Sequence, residues 1–387
     1  MVAVDHYPES SQVSDEQKQL INELRSRAQD ILKLYPEYDT DFSLLRWLMG
    51  WDNDIDVILP KLETAIRTLK NLHLDEVKVD TPEQINTHIR SLTDCAAYFP
   101  GGLLGQDDEG NIIFMQALAS AHPKTLVKGG SVNELFHLSI AETELSFKLV
   151  RRMEEKTGRK LGVKIIMDLD GFNKDLLYPA TLKIYMNLLT VLQDIFPDFA
   201  RKIYIINPPM MIQTVYTMIS PVLSKQTREK VNFLGSDWKD IILTELGAHN
   251  VYSHWGGTKE SSSPTGDIRM GGKVPEKLWY NAEDNPDDGE KSLFTKISIS
   301  ARSAESVTVK GTKGKAIRWI WKVSSGDLDF WVEHEEKEVF PKWRLSTEFV
   351  PEKGQMICPA DGEYVFFFSN KHGKIFGKDV KYRILPE

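Results

Sequence analysis

The residues best placed to do chemistry are Asp168 and Asp170, which close the stretch 163–171 (VKIIMDLDG). A carboxylate pair at the end of an apolar strand lies where open α/β sheets bind their ligands. The same pair also serves as a turn former or helix cap, a role that needs no reacting partner. An EF-hand reading of DLDGFNKD fails because the glycine comes too early for the calcium loop. The sequence holds no G-x-S-x-G elbow, P-loop or G-x-G-x-x-G turn. Its nine histidines are scattered, and His249 with His254 finds no third ligand at metal spacing. What remains is suited to binding. Lys225, Arg228 and Lys230 can meet an anionic head group or form a solvated face. The same two readings apply to Lys371, Lys374, Lys378, Lys381 and Arg383 near the C-terminus.

The first of these basic groups ends the stretch around which the chain is organised, 202–235. Ile203, Tyr204, Ile205 and Ile206 form an unbroken apolar run, as expected of a strand buried on both faces. Pro208 and Pro209 stop the strand and open a helix. Along it Ile212, Val215, Tyr216, Ile219 and Leu223 share one face, while Met211, Met218 and Val222 occupy the other. Such a helix needs cover on both flanks. The cover is either more protein, or the sheet on one side and an apolar guest on the other. Methionine surfaces adapt to guests of variable shape, and Pro221 supplies a break that can act as a hinge.

The surrounding elements follow from periodicity. Ser14 with Gln17 forms a capping box before Ile21, Leu24, Ala28 and Ile31, and further helices are expected after Asp41 and over 54–72. Short helical pieces fill 82–98. Ile112 to Met115 and 163–169 read as buried strands, separated by a helix that Ser131 and Glu134 cap and Gly158 ends. A helix from Pro179 stops before Pro197, and a last one begins at Asp237. Strands alternating with helices predict a mostly parallel sheet. The Ser-, Gly- and Pro-rich residues after Thr258, with the acidic run near 281–291, read as a linker. Beyond it Ile297/Ile299, Val307/Val309, Ile317/Trp319/Trp321, Leu328/Phe330/Val332, Tyr364/Phe366/Phe368 and Val380/Tyr382/Ile384 alternate as in a β-sandwich. The expected organisation is a helical subdomain at 10–78, an α/β domain at 79–258, a linker at 259–291 and an all-β, jelly-roll-like sandwich at 292–387.

Composition narrows the class. A chain of 387 residues with 41% hydrophobic content suits a multidomain globular protein. A net charge of −8 disfavours nucleic-acid binding. Cys95 and Cys358, far apart, make no disulfide framework and suggest a reducing compartment. The polar, acidic N-terminus does not read as a secretory signal, and no apolar run reaches spanning length. The expectation is a soluble cytoplasmic protein whose membrane contact is peripheral and transient.

Taken in order, LLRWL (44–48), IIMDLDGF, PDFARKIYIINPP, ISPVLSKQTREKV, FLG (233–235) and WGGT (255–258) resemble a CRAL-TRIO lipid-transfer domain. IRWIWKVSSGDLDFWV and CPADGEYVFFFSN are similar to the central strands of a GOLD domain, the pairing found in the tocopherol-associated, supernatant-protein-factor-like group. The resemblance implies a non-enzymatic carrier that holds one lipid in an apolar pocket closed by a gate helix. The lipid would be a phosphoinositide, a sterol precursor or an isoprenoid such as tocopherol. A bound lipid is the only cofactor implied, and the GOLD-like domain would recruit a protein partner or a membrane. By position, Ile212, Val215, Tyr216, Ile219 and Leu223 fall on the gate, and Val163, Ile165 and Met167 on the pocket floor. Phe114 and Tyr204 join the lipid-binding set from neighbouring strands. Lys230 and Asp198 match residues that serve phosphoinositide head groups. Val163 and Ile165 stand where phosphatidylcholine-binding members carry hydroxyls, and Met49, Gly50, Trp51 and Asp52 replace an Arg-rich segment, which favours a less polar ligand. Two rivals accompany this reading. One is a trafficking scaffold with a collapsed pocket. The other is a magnesium-dependent phosphotransferase, because DLDG looks like the haloacid-dehalogenase motif with Asp168 as nucleophile and Asp170 as acid–base group; Phe172 departs from that motif.

Overall fold

The computed structural model describes residues 6–172, 174–284 and 293–387, so the end of the expected linker, 285–291, lies outside the described residues. The N-terminal helices start where capping predicts. Ser14 and Gln17 exchange their capping-box hydrogen bonds at the head of α1 (Asp15–Arg27), which gives way to the short α2 (Gln29–Leu32). Thr40 caps α3 (Asp41–Gly50) and Asp54 caps α4 (Ile55–Asn71). Leu24, Trp47, Ile58, Leu62 and Ile66 are wholly buried on these helices. Arg46, also buried, forms a forked ion pair with Glu154 and donates to Leu161 O at 2.6 Å.

After α5 (Pro82–Ser91) comes β1 (Gly102–Gln106), a strand the residue pattern does not announce. Its only apolar residues are Leu103 and Leu104 among glycines, which are poor strand formers. It runs antiparallel to β2 (Ile112–Gln116). The chain continues through α6 (Pro123–Gly129), α7 (Val132–Thr157), β3 (Val163–Asp168), α8 (Pro179–Ile195), β4 (Ala200–Ile206), α9 (Ile212–Ile219), α10 (Lys225–Glu229), β5 (Val231–Phe233) and α11 (Trp238–Leu246). The sheet order is β1-β2-β3-β4-β5, parallel from β2 onward, as the alternation of strands and helices predicts.

The segment expected as a linker is partly core. Ile268 is buried with the sheet, and Arg269, 1% exposed, forms a bidentate pair with Glu142 at 2.9 Å. Its Ser, Gly and Pro content reflects tight turns rather than slack, because a buried guanidinium must be fully paired. By compactness the chain forms two units. The first draws on Met1–His122, Leu138–Tyr178 and Leu188–Lys273, and the second on Pro123–His137, Pro179–Asn187 and Val274–Glu387.

The second unit holds two four-stranded antiparallel sheets, ordered β10-β9-β12-β7 and β11-β8-β13-β6. Their strands are β6 (Thr295–Ile299), β7 (Ala304–Gly311), β8 (Ala316–Val323), β9 (Asp327–His334), β10 (Lys337–Ser346), β11 (Glu352–Ile357), β12 (Gly362–Ser369) and β13 (Lys378–Pro386). Trp321, Phe330, Phe366 and Phe368 are fully buried between them, with Trp321 edge-on to Phe368 at 5.6 Å. The expected sandwich is therefore present. Alternation did not reveal β10 because its register shifts around Pro341, and a bulge breaks the period of two.

Candidate functional site

The two faces of the parallel sheet are finished differently. On one, Ile166, Tyr204 and Ile206 lie with Trp238, Ile242, Leu246, Trp255 and Ile268, and every one of these is at most 9% exposed. On the other, register stacks Phe114, Ile165, Ile203 and Val231 into one rung and Met167, Ile205 and Phe233 into the next. Here Ile203 and Ile205 are buried, but Ile165, Met167, Val231, Phe233 and Phe172 are only partly so. Val163 begins the same side of β3 and is buried. Tyr204 departs from the expected set. Its neighbours in register put it on the sealed face, where its hydroxyl donates to Glu245 of α11 at 2.9 Å. A strand's side chains alternate, so Tyr204 cannot share a face with Ile203 and Ile205.

The segment expected as a gate lies along the less closely covered face. Ile212 packs against the rungs, and Tyr216 meets Phe233 edge-on at 5.2 Å and 85°. Val215 is the buried residue of α9, while Ile219 is half-buried. The expected cover on the outer flank is absent: Met210, Met211 and Met218 are exposed. The helix is also shorter than its apolar pattern, because Pro221 forces a turn that leaves Leu223 beyond it. Its far end is clamped. Gln193 donates to Val222 O and accepts from Ser224 N, both at 2.6 Å, and Arg228 donates to Leu223 O at 2.9 Å. At the near end Met211 supplies no side-chain cap.

A cavity of about 320 Å³ lies at the clamped end, lined by Trp51, Gln193, Asp194, Leu223, Ser224 and Thr227 among others. Trp51 Nε1 is buried there with no hydrogen-bond partner. Lys61 sits over the Trp51 ring at 4.1 Å and pairs with Asp194 at 3.1 Å.

The expected head-group residues meet next to this cavity. Asp198, its side chain wholly buried, bridges Lys160 at 2.6 Å and Lys230 at 2.5 Å. Burial opposes its charge, yet the two ammonium groups hold its carboxyl below the usual range. Burial pushes Lys160 down to about 8 against the pull of Asp198. The N-terminal segment closes over them. Tyr7 donates to Ala200 O at 2.7 Å and accepts from Lys230 at 3.3 Å, and Lys160 donates to His6 O at 2.6 Å. Nothing in the spacing of Tyr7, Lys160, Gln193 or Trp51 announces these roles, since each acts across a long stretch of chain.

The carboxylate pair is split. Asp168 is 5% exposed, with one oxygen accepting from Trp255 Nε1 at 2.9 Å and the other from Asn207 at 2.8 Å and Asp170 N at 3.0 Å. Asp170 is exposed. The arrangement ties three turns together.

Comparison with known proteins agrees with this frame. Residues 96–257 match the CRAL/TRIO domain family. Over 92% of its length the chain is 25% identical to Protein ctg-1 of Caenorhabditis elegans, of which it spans 94%. A CRAL-TRIO domain-containing protein of the same organism is 24% identical over 96% of this chain and 97% of its own. Among solved structures Sfh5 is similar with a TM-score of 0.44 and 15% identity, over 60% of this chain and 84% of that one. The residues matched to the CRAL/TRIO domain family carry the whole five-stranded sheet, the segment expected as a gate and the Asp168–Trp255 joint, within a multidomain chain.

Proposed function

We infer that the chain carries one hydrophobic ligand between the β3–β4–β5 face and α9, with the ligand's polar end in the cavity beside Trp51. The carrying observation is the contrast between the two faces: the α11 side leaves only Leu234, Leu243 and Met270 partly buried around a large buried cluster, while the α9 side leaves Ile165, Met167, Phe172, Val231 and Phe233 partly buried around a small one. Each methylene in water costs about 0.8 kcal/mol, so such a face gains by taking a guest. The clamp at 222–224 makes the far end of α9 a hinge, and the uncapped end at Met211 swings. The exposed methionines would meet the donor membrane as it does so.

The polar end favours a neutral hydroxyl. Asp194 lines the cavity and takes up Lys61, while Lys160 and Lys230 are already paired with Asp198, so little unspent positive charge faces the space. The unpaired Trp51 N–H suits a hydroxyl oxygen. A sterol or isoprenoid alcohol fits better than a phosphoinositide, and no covalent step is required. The sandwich, similar to a GOLD domain, would bring the carrier to its partner or membrane.

Native mass spectrometry of the purified chain, with lipid extraction, tests this reading. A stoichiometric neutral lipid is expected, displaced by cholesterol or α-tocopherol more readily than by phosphatidylinositol. Ile165→Trp should empty it. A chain that is empty, and takes up none of these from vesicles, would refute carriage and leave the scaffold reading.

A further inference from the structure

We propose that the loop 370–377 between β12 and β13 is a docking spike for an anionic lipid bilayer. Ile375 and Phe376 at its tip are each 78% exposed. The tip is held rather than loose. Asn370, 2% exposed, donates to Ser300 O at 3.3 Å and Phe376 O at 3.0 Å, and its own carbonyl accepts from Gly373 N and Arg302 N. His372 adds a contact to Asp329 at 3.2 Å. A fixed backbone thus presents two large apolar side chains to water, which nothing in the fold requires.

The charges around the tip select the occupant. The stretch 370–378 (NKHGKIFGK) contains no acidic residue in a chain of net charge −8. Lys371 and Lys374 are exposed beside the tip, and Arg302 is exposed on the adjoining turn. Lys378 turns away onto Asp327, and the nearby Asp379 is taken by Lys296 at 2.8 Å. Two apolar side chains ringed by cations match the layering of an anionic leaflet, with acyl chains inside and phosphates outside. A protein partner would need about 800 Å² of matching surface, which a two-residue tip does not offer. The proposal is independent of the cargo.

The test is sedimentation of the full chain with phosphatidylcholine vesicles, with and without phosphatidylserine. Wild type should bind the serine-containing vesicles and leave neutral ones. Ile375→Asp with Phe376→Asp should weaken binding by about tenfold or more, since both apolar insertions are lost. Lys371→Glu with Lys374→Glu should remove the preference for phosphatidylserine. All four positions are exposed, so unchanged thermal melting is expected and is checked. No binding by wild type, or equal binding by the Ile375/Phe376 variant, overturns the proposal. So does binding that Met210→Asp abolishes while the loop variant keeps it.

Discussion

Tyr216→Ala tests whether α9 is a gate. Tyr216 is half-buried and is the aromatic side chain of α9 that grips the sheet, edge-on to Phe233 at 5.2 Å. Losing an aromatic pair costs about 0.5–1.5 kcal/mol beyond area, and re-exposing part of the ring adds a comparable amount. About 2 kcal/mol against the closed position means about 30-fold more opening. The clamp at Gln193 and Arg228 lies at the other end of the helix and stays intact. Hydrogen exchange on the purified chain reads this directly. In wild type the amides of α9 should exchange faster than those of β3 and β4, because the gate opens while the sheet stays shut. In the variant, exchange over 212–219 should rise about 30-fold, while the strands, which exchange only through larger openings and lose no more than the same ~2 kcal/mol, should stay slower than α9. Identical protection for α9 and β4 in both proteins would show that the helix opens only with the whole fold, and the gate would be refuted.

Three further outcomes follow from buried geometry. Asp198→Asn leaves the buried Lys160 without its anion and should cost about 3–5 kcal/mol in urea unfolding, with Lys160→Met restoring much of it. Lys160 titrates at about 8 in the fold against 10.5 when free, so between these values the unfolded chain binds the extra proton; wild type should gain up to about 3 kcal/mol from about pH 8 to about pH 10.5 relative to Lys160→Met, and parallel pH profiles would contradict the assignment. Gly257→Ala places a Cβ 1.9 Å from Val251 O and should cost at least about 2 kcal/mol by the same measurement; a silent substitution would mean the 251–257 turn is not as tight as described.

The residues also show which parts of such a protein can be read without coordinates. Caps at Ser14 and Ser131 and the alternation of β8, β9 and β12 are local, so they were legible. β1 was hidden by its glycines, β10 by its register shift and the covered face of Tyr204 by an apolar run with no alternation. A run apolar at every position marks a buried strand but does not say which side faces which layer. In the ion cluster only Lys230 and Asp198 are named from the sequence, through the family resemblance, and the rest was hidden for another reason. Tyr7, Lys160, Asp198 and Lys230 meet only because four distant segments converge, and charge spacing along a chain carries no information about that.

The same distinction separates family from ligand. Asp168, Trp255 and Arg46, three of the residues that made the family recognisable, spend their polar atoms on the frame: Asp168 joins Trp255, and Arg46 joins Glu154. Each such joint needs a particular donor and acceptor at one distance, so its residues cannot drift in type without leaving a buried polar group unpaired. The rungs of Ile165, Met167, Val231 and Phe233 obey no such rule, because any side chains of similar volume keep the face apolar. Specificity must then come from the few polar groups at the end of the cavity. Trp51 occupies the segment where an Arg-rich stretch would otherwise stand, and it offers one neutral donor in place of a cation. Under the proposed function, that exchange would turn the same frame from a holder of phosphates toward a holder of hydroxyls.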